Sequence, residues 1–202
     1  GCPEIVLTGI HLTAYGRDLP GGPGLMDLVE AVAGAGARRI RLSSLDPDVL
    51  TEDFIARAAA CPALCPHFHV ALQCGCDSVL KRMGRRYTTA EYYEAVERLR
   101  GAFPDCSITT DLICGFPGET GEEFLQTLAF LEKCRFLRVH VFPYSKRAGT
   151  RAASMPGQVP RSVKQERCHR AQELSSNIAL QVMSSYVGRV MPVLVENPEE
   201  NG

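Results

Sequence analysis

The segment 107–124 constrains the fold more than any other stretch, because a strand-like run passes through a rigid turn directly into a helix. Residues 107–113 are rich in β-branched types, as a buried parallel strand requires. Gly115, Pro117 and Gly118 then force a tight turn, since proline fixes φ and glycine tolerates positive φ. Thr120 and Glu123 have the spacing of a capping box that starts the next helix. The loop is therefore expected at the carboxyl end of a strand, where parallel α/β sheets and barrels place their ligands. Ordinary βα connections also contain Gly and Pro, so the loop by itself names no ligand.

The same alternation runs through the chain. Strand-like apolar runs occur at 4–8, 38–43, 68–72, 107–113 and 136–142, separated by roughly thirty to forty residues. Helical patterns fill the intervals: Leu25, Leu28, Val29 and Val32 share a face, as do Tyr92, Val96 and Leu99 after a second capping box at Thr88 and Glu91. Phe124, Leu128 and Leu131 repeat the spacing. Asp46-Pro47 predicts an N-cap followed by proline at the first position of a helix running toward Ala60. Successive βα units cross over right-handedly and give a parallel sheet. The expectation is an α/β fold, an open or partial (β/α) barrel whose first strand precedes Gly1.

The pattern changes after Thr150. Residues 152–160 read as a connector of small residues, Pro and Gly, and 161–187 as one long polar helix. Its narrow apolar stripe, Val163, Ala171, Leu174, Ile178 and Val182, suits a helix lying on a barrel's outside. Gly188-Arg-Val-Met-Pro-Val-Leu-Val-Glu196 reads as the first strand of another module, and 197–202 as a disordered tail. Three parts result: a barrel over 1–150, a connector with its long helix over 151–187, and the start of a further module over 188–202.

Charge and cysteine usage narrow the function classes. Lys plus Arg number 22 and Asp plus Glu 23, so overall charge does not announce a nucleic-acid protein. No segment approaches ~20 uninterrupted apolar residues. Nine cysteines, scattered through strands and helices, favour a reducing cytosol over a disulfide framework. The chain opens without Met and enters a strand within four residues, the expectation for a piece cut from a longer polypeptide.

The strand ends should share one edge. They carry Thr8-Gly-Ile-His11, Arg41-Leu-Ser-Ser44, Gln73-Cys-Gly-Cys76, the Gly115 turn and Val141-Phe-Pro-Tyr-Ser-Lys146. Hydroxyls, a carboxamide and free backbone groups beside aromatic faces suit a small polar ligand with a flat ring, such as a nucleoside. Ser, Thr and Gly also cap turns for purely local reasons.

Taken in order, several segments carry a specific resemblance. They are Glu4-Ile-Val-Leu-Thr-Gly-Ile-His11, Ile40-Arg-Leu-Ser-Ser-Leu-Asp-Pro47, His67-Phe-His-Val-Ala-Leu-Gln-Cys-Gly-Cys-Asp77 and Leu80-Lys-Arg-Met-Gly-Arg-Arg-Tyr-Thr88. The series continues through Ile108-Thr-Thr-Asp-Leu-Ile-Cys-Gly-Phe-Pro-Gly-Glu-Thr120 to His140-Val-Phe-Pro-Tyr-Ser-Lys-Arg-Ala-Gly-Thr150. Over almost its whole length the chain resembles the radical S-adenosylmethionine (SAM) methylthiotransferases, nearest the branch acting on threonylcarbamoyladenosine beside the tRNA anticodon. The resemblance implies a partial (β/α)6 TIM-like barrel of the radical SAM type, of which this chain holds strands two to six. In the family the barrel lies between an N-terminal cluster-binding domain and a C-terminal RNA-binding β module. The implied chemistry is a 5′-deoxyadenosyl radical abstracting hydrogen from C2 of the adenine, sulfur delivered from a second cluster, and a methyl group from a second SAM.

Site residues follow from the resemblance position by position. Thr8 and Gly9 match the loop holding the methionine part of SAM. Arg41, Ser43 and Ser44 match the next strand end, and Gln73 a position beside the ribose or sulfonium. Asp111, Gly115 and Phe116 match the cradle of the nucleoside, and Phe142 and Tyr144 border the adenine. No residue is expected to be catalytic in its own right, so the chain alone should be inactive. The family's two [4Fe–4S] clusters need ligands that this chain lacks: Cys61-Pro-Ala-Leu-Cys65 has the first spacing of C-x₃-C-x₂-C, but Phe68 stands at the third position. Cys74 and Cys76 are expected to face the ligand edge. A zinc site joining Cys61, Cys65, Cys74 and Cys76 is disfavoured because the two pairs should lie at opposite ends of a strand.

Two basic runs follow strand ends, Lys81, Arg82, Arg85 and Arg86 in one and Lys146, Arg147 and Arg151 in the other. Both should rim the mouth and meet the phosphates of a tRNA without reading its bases. His67 and His69 alternate on one strand and should satisfy hydrogen bonds there instead of binding metal. Reductant and sulfur donor are not specified by the sequence, and no membrane partner is expected. Other readings stay open: the same barrel acting on isopentenyladenosine in tRNA or on a ribosomal protein aspartate, a metal-free aldolase or epimerase barrel using Lys146, or a non-catalytic RNA-binding scaffold.

Overall fold

The computed structural model describes residues 2–195. Six short strands, β1 (Ile5–Leu7), β2 (Ile40–Leu42), β3 (Ser44–Leu45), β4 (His67–Val70), β5 (Ser107–Cys114) and β6 (Arg138–Pro143), pair only in parallel. β1 pairs with β2, and β3 begins a second sheet in the order β3-β4-β5-β6. Only Ser43 separates β2 from β3, and Ile40 bridges to Leu64 ahead of β4, so the strands follow one another in chain order around an incomplete barrel. The α/β partial barrel expected from the spacing is the fold observed.

Helices α1 (Leu25–Gly34), α2 (Glu52–Ala59), α3 (Asp77–Met83), α4 (Thr89–Ala102) and α5 (Gly121–Cys134) supply the βα crossovers. Both capping boxes form: Thr88 and Thr120 accept from the backbone N–H of Glu91 and Glu123, whose carboxylates reach back to the caps. The helix expected from Asp46 is corrected. Asp46 caps nothing with its side chain, a single 3₁₀ turn covers Pro47–Val49, and α2 starts afresh from Thr51, whose hydroxyl accepts from Phe54 N–H. The carboxylate of Asp46 is instead drawn across to Thr13 and His11.

Strand alternation separates two environments. Phe68, Val70, Ile108, Thr110 and Leu112 are buried toward the helices, whereas His67, His69 and Asp111 face inward as a half-buried row. Tyr92 of α4 is fully buried and donates to Val70 O at 2.8 Å. Thr110 Oγ1 donates to the same carbonyl at 2.6 Å and accepts from Leu72 N–H at 3.0 Å. This local network carries the chain over an interruption in β4 before Gln73 resumes the ladder, donating to Asp111 O and accepting from Ile113 N–H, both at 2.9 Å.

The long helix α7 (Arg161–Ser184) follows a short helix, α6 (Arg151–Ser154), inside the expected connector. One expectation is corrected here and one extended. α7 ends at Ser184, short of Val187, and besides packing on α5 from outside, with Arg167 and Arg170 over the Phe124 ring, it runs along the edge of β6. Ser175 Oγ accepts from Val139 N–H at 3.1 Å, so the helix satisfies part of an edge that would otherwise present unpaired backbone groups. Ala171 and Ile178 are buried as the stripe predicts, and Arg167, Cys168 and Ser175 join them. Residues 188–195 form no strand, and 196–202, with the expected tail, lie outside the described residues.

Removing a hydroxyl from the Val70 network should therefore have unequal effects. Thr110→Val leaves Leu72 N–H buried without a partner and is expected to cost about 2 kcal/mol, whereas Tyr92→Phe leaves Val70 O still paired and costs about 1 kcal/mol. Urea unfolding of the two variants checks the order.

Candidate active site

The turn after β5 is fixed from below by one carboxylate. Gly115 and Gly118 adopt φ of +75° and +76°, which folds the backbone back over Glu119. Glu119 is only 6% exposed, and its Oε2 accepts from the N–H groups of both Gly115 and Phe116. Arg167 of α7, itself 8% exposed, places Nη1 3.3 Å from Glu119 Oε1 and donates to Glu119 O at 3.1 Å. Burial pushes the Glu119 carboxyl up, against the opposing pull of Arg167 and the two backbone N–H groups. Lys164 lies across Gly115 and donates to Tyr144 O at 2.9 Å, and a Cβ at Gly115 would come within 2.2 Å of Lys164 Cγ. Glycine is thus required there twice, for its φ and for the approach of α7.

A second tie joins this turn to the loop after β4. Glu123 accepts from Arg82 Nη2 at 2.6 Å, from Ser78 Oγ and from Thr120 N–H. Its hydrogen bond with Arg82, acting against burial, holds its carboxyl at about 2. Arg82 also reaches Gly118 O, so the structure commits it to the fold, correcting its expected place among free RNA-facing cations. Cys74 and Cys76 are corrected as well. Both are buried, with Cys74 Sγ 3.3 Å from Thr127 Oγ1 and Cys76 Sγ 3.1 Å from Gln126 Oε1 of α5, and they pack in one cluster with Phe116 and Tyr144 behind the loop. Burial pushes the Cys74 thiol up to about 12, which suits an inert packing group.

The remaining residues divide by position. Thr8 and Gly9 are exposed at the end of β1, and Ser44 at the end of the next run. Gln73 holds φ +68°, an unusual conformation for a side-chain-bearing residue, and such strain concentrates at functional sites. Phe116 packs edge-on against Tyr144 with centroids 5.4 Å apart, while Phe142 stands exposed beside them. Asp111 lies one layer deeper, its Oδ2 3.4 Å from His69 Nε2. Arg41 is turned to the amino edge, donating to Glu4 Oε1 at 2.8 Å beside Arg39, and does not reach the mouth with Ser43 and Ser44. Around the rim, Arg85 and Arg86 join His11 and Arg17 about a cavity of about 300 Å³, and Lys146, Arg147 and Arg151 are exposed beyond β6.

The fit to the implied groups differs between them. Ser43 Oγ and Tyr144 Oη are buried and have no hydrogen-bond partner among the described residues. Hydroxyls left so at a mouth of strand ends suit the ribose and amino-acid groups of a nucleoside ligand such as SAM. An iron–sulfur cluster does not fit this chain: among the described residues no three His, Cys, Asp or Glu side chains are grouped to hold a metal ion. Cys61 and Cys65 are buried near the amino end of β4.

A chain-ordered parallel sheet with a glycine turn at its carboxyl edge defines an open α/β barrel with a ligand edge at the strand ends. The family model for the Radical SAM superfamily matches residues 1–131, and the chain belongs to that superfamily. It is 41% identical over 197 residues to threonylcarbamoyladenosine tRNA methylthiotransferase MtaB of Thermotoga maritima, with 97% of this chain and 45% of that protein covered. It is also 41% identical over 197 residues to tRNA-2-methylthio-N(6)-dimethylallyladenosine synthase of Acetivibrio thermocellus, covering 97% and 41% of the two chains. The chain thus spans less than half the length of these curated relatives. Coproporphyrinogen III oxidase (HemN) from Escherichia coli, described as a radical SAM enzyme, shares the fold with a TM-score of 0.64 at 17% identity, over 76% of this chain and 37% of that one.

Glu119, Lys164 and Arg167 escape a reading of the sequence alone. Glu119 was traceable, since a turn built of Gly115 and Phe116 leaves N–H groups needing an acceptor. Lys164 and Arg167 carry no local signal. Arg167→Met is expected to cost on the order of 3 kcal/mol, because a buried carboxylate loses its cation. A carboxyl whose pKa is raised by folding stabilises below its ordinary value of 4.5 and loses that contribution as pH rises through the folded value. The variant should therefore weaken progressively with rising pH, and Glu119→Gln in the same background should flatten the slope, as urea midpoints across pH would show.

Proposed function

We propose that this chain is the SAM- and substrate-binding barrel of a tRNA methylthiotransferase that adds a methylthio group to C2 of threonylcarbamoyladenosine beside the anticodon. The observation that carries the reading is the braced turn at 115–119, set among strand ends with unpartnered hydroxyls, in a chain 41% identical to enzymes named for tRNA methylthiolation. In this role Gly115 and Phe116 present backbone and ring to the adenosine, Tyr144 and Phe142 border it, and Ser43, Ser44, Gln73, Thr8 and Gly9 hold the ribose and methionine ends. SAM, when bound there, supplies the hydrogen-abstracting and methylating chemistry, and two [4Fe–4S] clusters are held by segments of the whole protein other than this one. Arg85, Arg86, Lys81, Lys146, Arg147 and Arg151 form the rim that receives tRNA phosphates. No helix among the described residues is long and apolar enough to cross a membrane, which accords with a cytoplasmic site of action.

The test is made on the full-length protein, reconstituted without oxygen. About eight irons per chain and appearance of the methylthio nucleoside in tRNA are expected. A protein without iron and without SAM affinity would leave the RNA-binding scaffold or the metal-free barrel. Neutralising Arg85 and Arg86 together should weaken tRNA binding and lower its dependence on salt, with SAM affinity unchanged, in a titration at several salt concentrations.

A further inference from the structure

The inner wall below the mouth holds Arg138 and His140, which neither the nucleoside cradle nor the basic rim uses, beside Asp111, which lies one layer below that cradle. β6 turns Val139 and Val141 toward the apolar core, and so turns Arg138, His140 and Phe142 into the lumen. The register sets Arg138 beside Thr109 and His140 beside Asp111. Across β5, the His69 ring lies 5.8 Å from the His140 ring, with its Nδ1 2.9 Å from Thr109 Oγ1 and its Nε2 3.4 Å from Asp111 Oδ2. Below them a cavity of about 560 Å³ is lined by Arg138, His67 and Thr109 with Gln172 and Ser176 of α7, and on its other sides by Leu137, Val139, Ala179 and Met183. His67 Nδ1 is buried there without a partner among the described residues. Arg138 meets no carboxylate within ion-pair distance among those residues, and the neighbouring Asp111 is engaged by His69.

We propose that Arg138 and His140 read the N6 substituent of the target adenosine, and that they select one bearing a carboxylate and hydrogen-bonding groups over a hydrocarbon. The inference rests on the methylthiotransferase reading and names the determinant that chooses between its two substrate classes. A dimethylallyl group in this layer would strip water from a guanidinium and an imidazole and return no hydrogen bond. A threonylcarbamoyl group answers the layer group by group. Its carboxylate gives Arg138 a charge-assisted pair, and its hydroxyl suits the imidazole of His140. The carbamoyl N–H finds an acceptor in Asp111, whose other oxygen His69 engages. Sites that hydrogen-bond a substrate group reject analogues lacking it far more strongly than apolar pockets reject an added one.

The experiment uses the reconstituted full-length enzyme and tRNA carrying either threonylcarbamoyladenosine or dimethylallyladenosine. Wild type, Arg138→Met, His140→Phe and the double variant are compared by kcat/KM for each tRNA, by affinity for matching anticodon stem-loops and by SAM affinity. Each single variant should lose about tenfold or more on the threonylcarbamoyl substrate, the loss of one charge-assisted or polar contact, with SAM affinity kept and discrimination narrowed. Arg138→Lys and His140→Gln keep a donor and should keep most of the preference, which separates reading from folding. Equal losses on both tRNAs, or losses below twofold, would overturn the inference, as would a wild-type preference for the dimethylallyl tRNA. A wild type that methylthiolates neither tRNA refutes the underlying reading; an active one indifferent to Arg138 and His140 refutes this inference alone.

Discussion

The buried Glu119–Arg167 pair is the contact on which the arrangement of the mouth depends. A turn made of Gly115, Phe116, Pro117 and Gly118 has backbone N–H groups directed inward, and burial would make them costly without an acceptor. Glu119 supplies that acceptor, and a carboxylate placed there needs a cation in turn. Arg167 comes from a helix almost fifty residues further along, so the shape of the turn is coupled to the docking of α7. Lys164 reinforces the coupling by crossing Gly115 to reach the chain end of β6 at Tyr144. The turn is therefore held from two sides of the molecule, and its atoms are positioned before any ligand arrives, which is what tight and oriented binding requires.

The same helix solves a second problem. An incomplete barrel leaves strand edges, and unpaired edges invite association. On the β6 side, α7 covers the edge and gives it a side-chain acceptor in Ser175, and its polar residues Gln172 and Ser176 contribute to the inner cavity. Edge protection and part of a cavity wall thus come from one element. On the β1 side, Val6 is half exposed along the strand's free flank.

The charged residues divide between those that brace the fold and those left at the rim. Arg39 and Arg41 share the single carboxylate of Glu4, Arg82 pairs with Glu123, and Arg57 with Asp27 and Glu30. These arginines brace the fold. Arg85 and Arg86 stay at the rim with Arg17, about a cavity that Asp46 and Asp48 also line. Net charge averages over both groups and conceals the difference.

What the sequence by itself determined was local and periodic. The capping boxes at Thr88 and Thr120, the strand content of 107–113 and the glycine turn are written in neighbouring residues, because φ/ψ preference, capping and alternation act over a few positions. Their order was enough to give the parallel barrel and its ligand edge. Direction of side chains, and partnership between distant ones, was decided only by the tertiary structure. Cys74 and Cys76 occupy the correct loop yet turn behind it onto α5, and Arg82 sits in a basic run yet belongs to Glu123. Asp46 precedes a proline as a cap should, but His11 and Thr13 claim its carboxylate. The inward row of His69, Asp111, Arg138 and His140 likewise exists only once β4, β5 and β6 are in register. The physical reason is common to all: a polar side chain goes to the partner that best satisfies its desolvated groups, and that partner's place is set by packing across the chain.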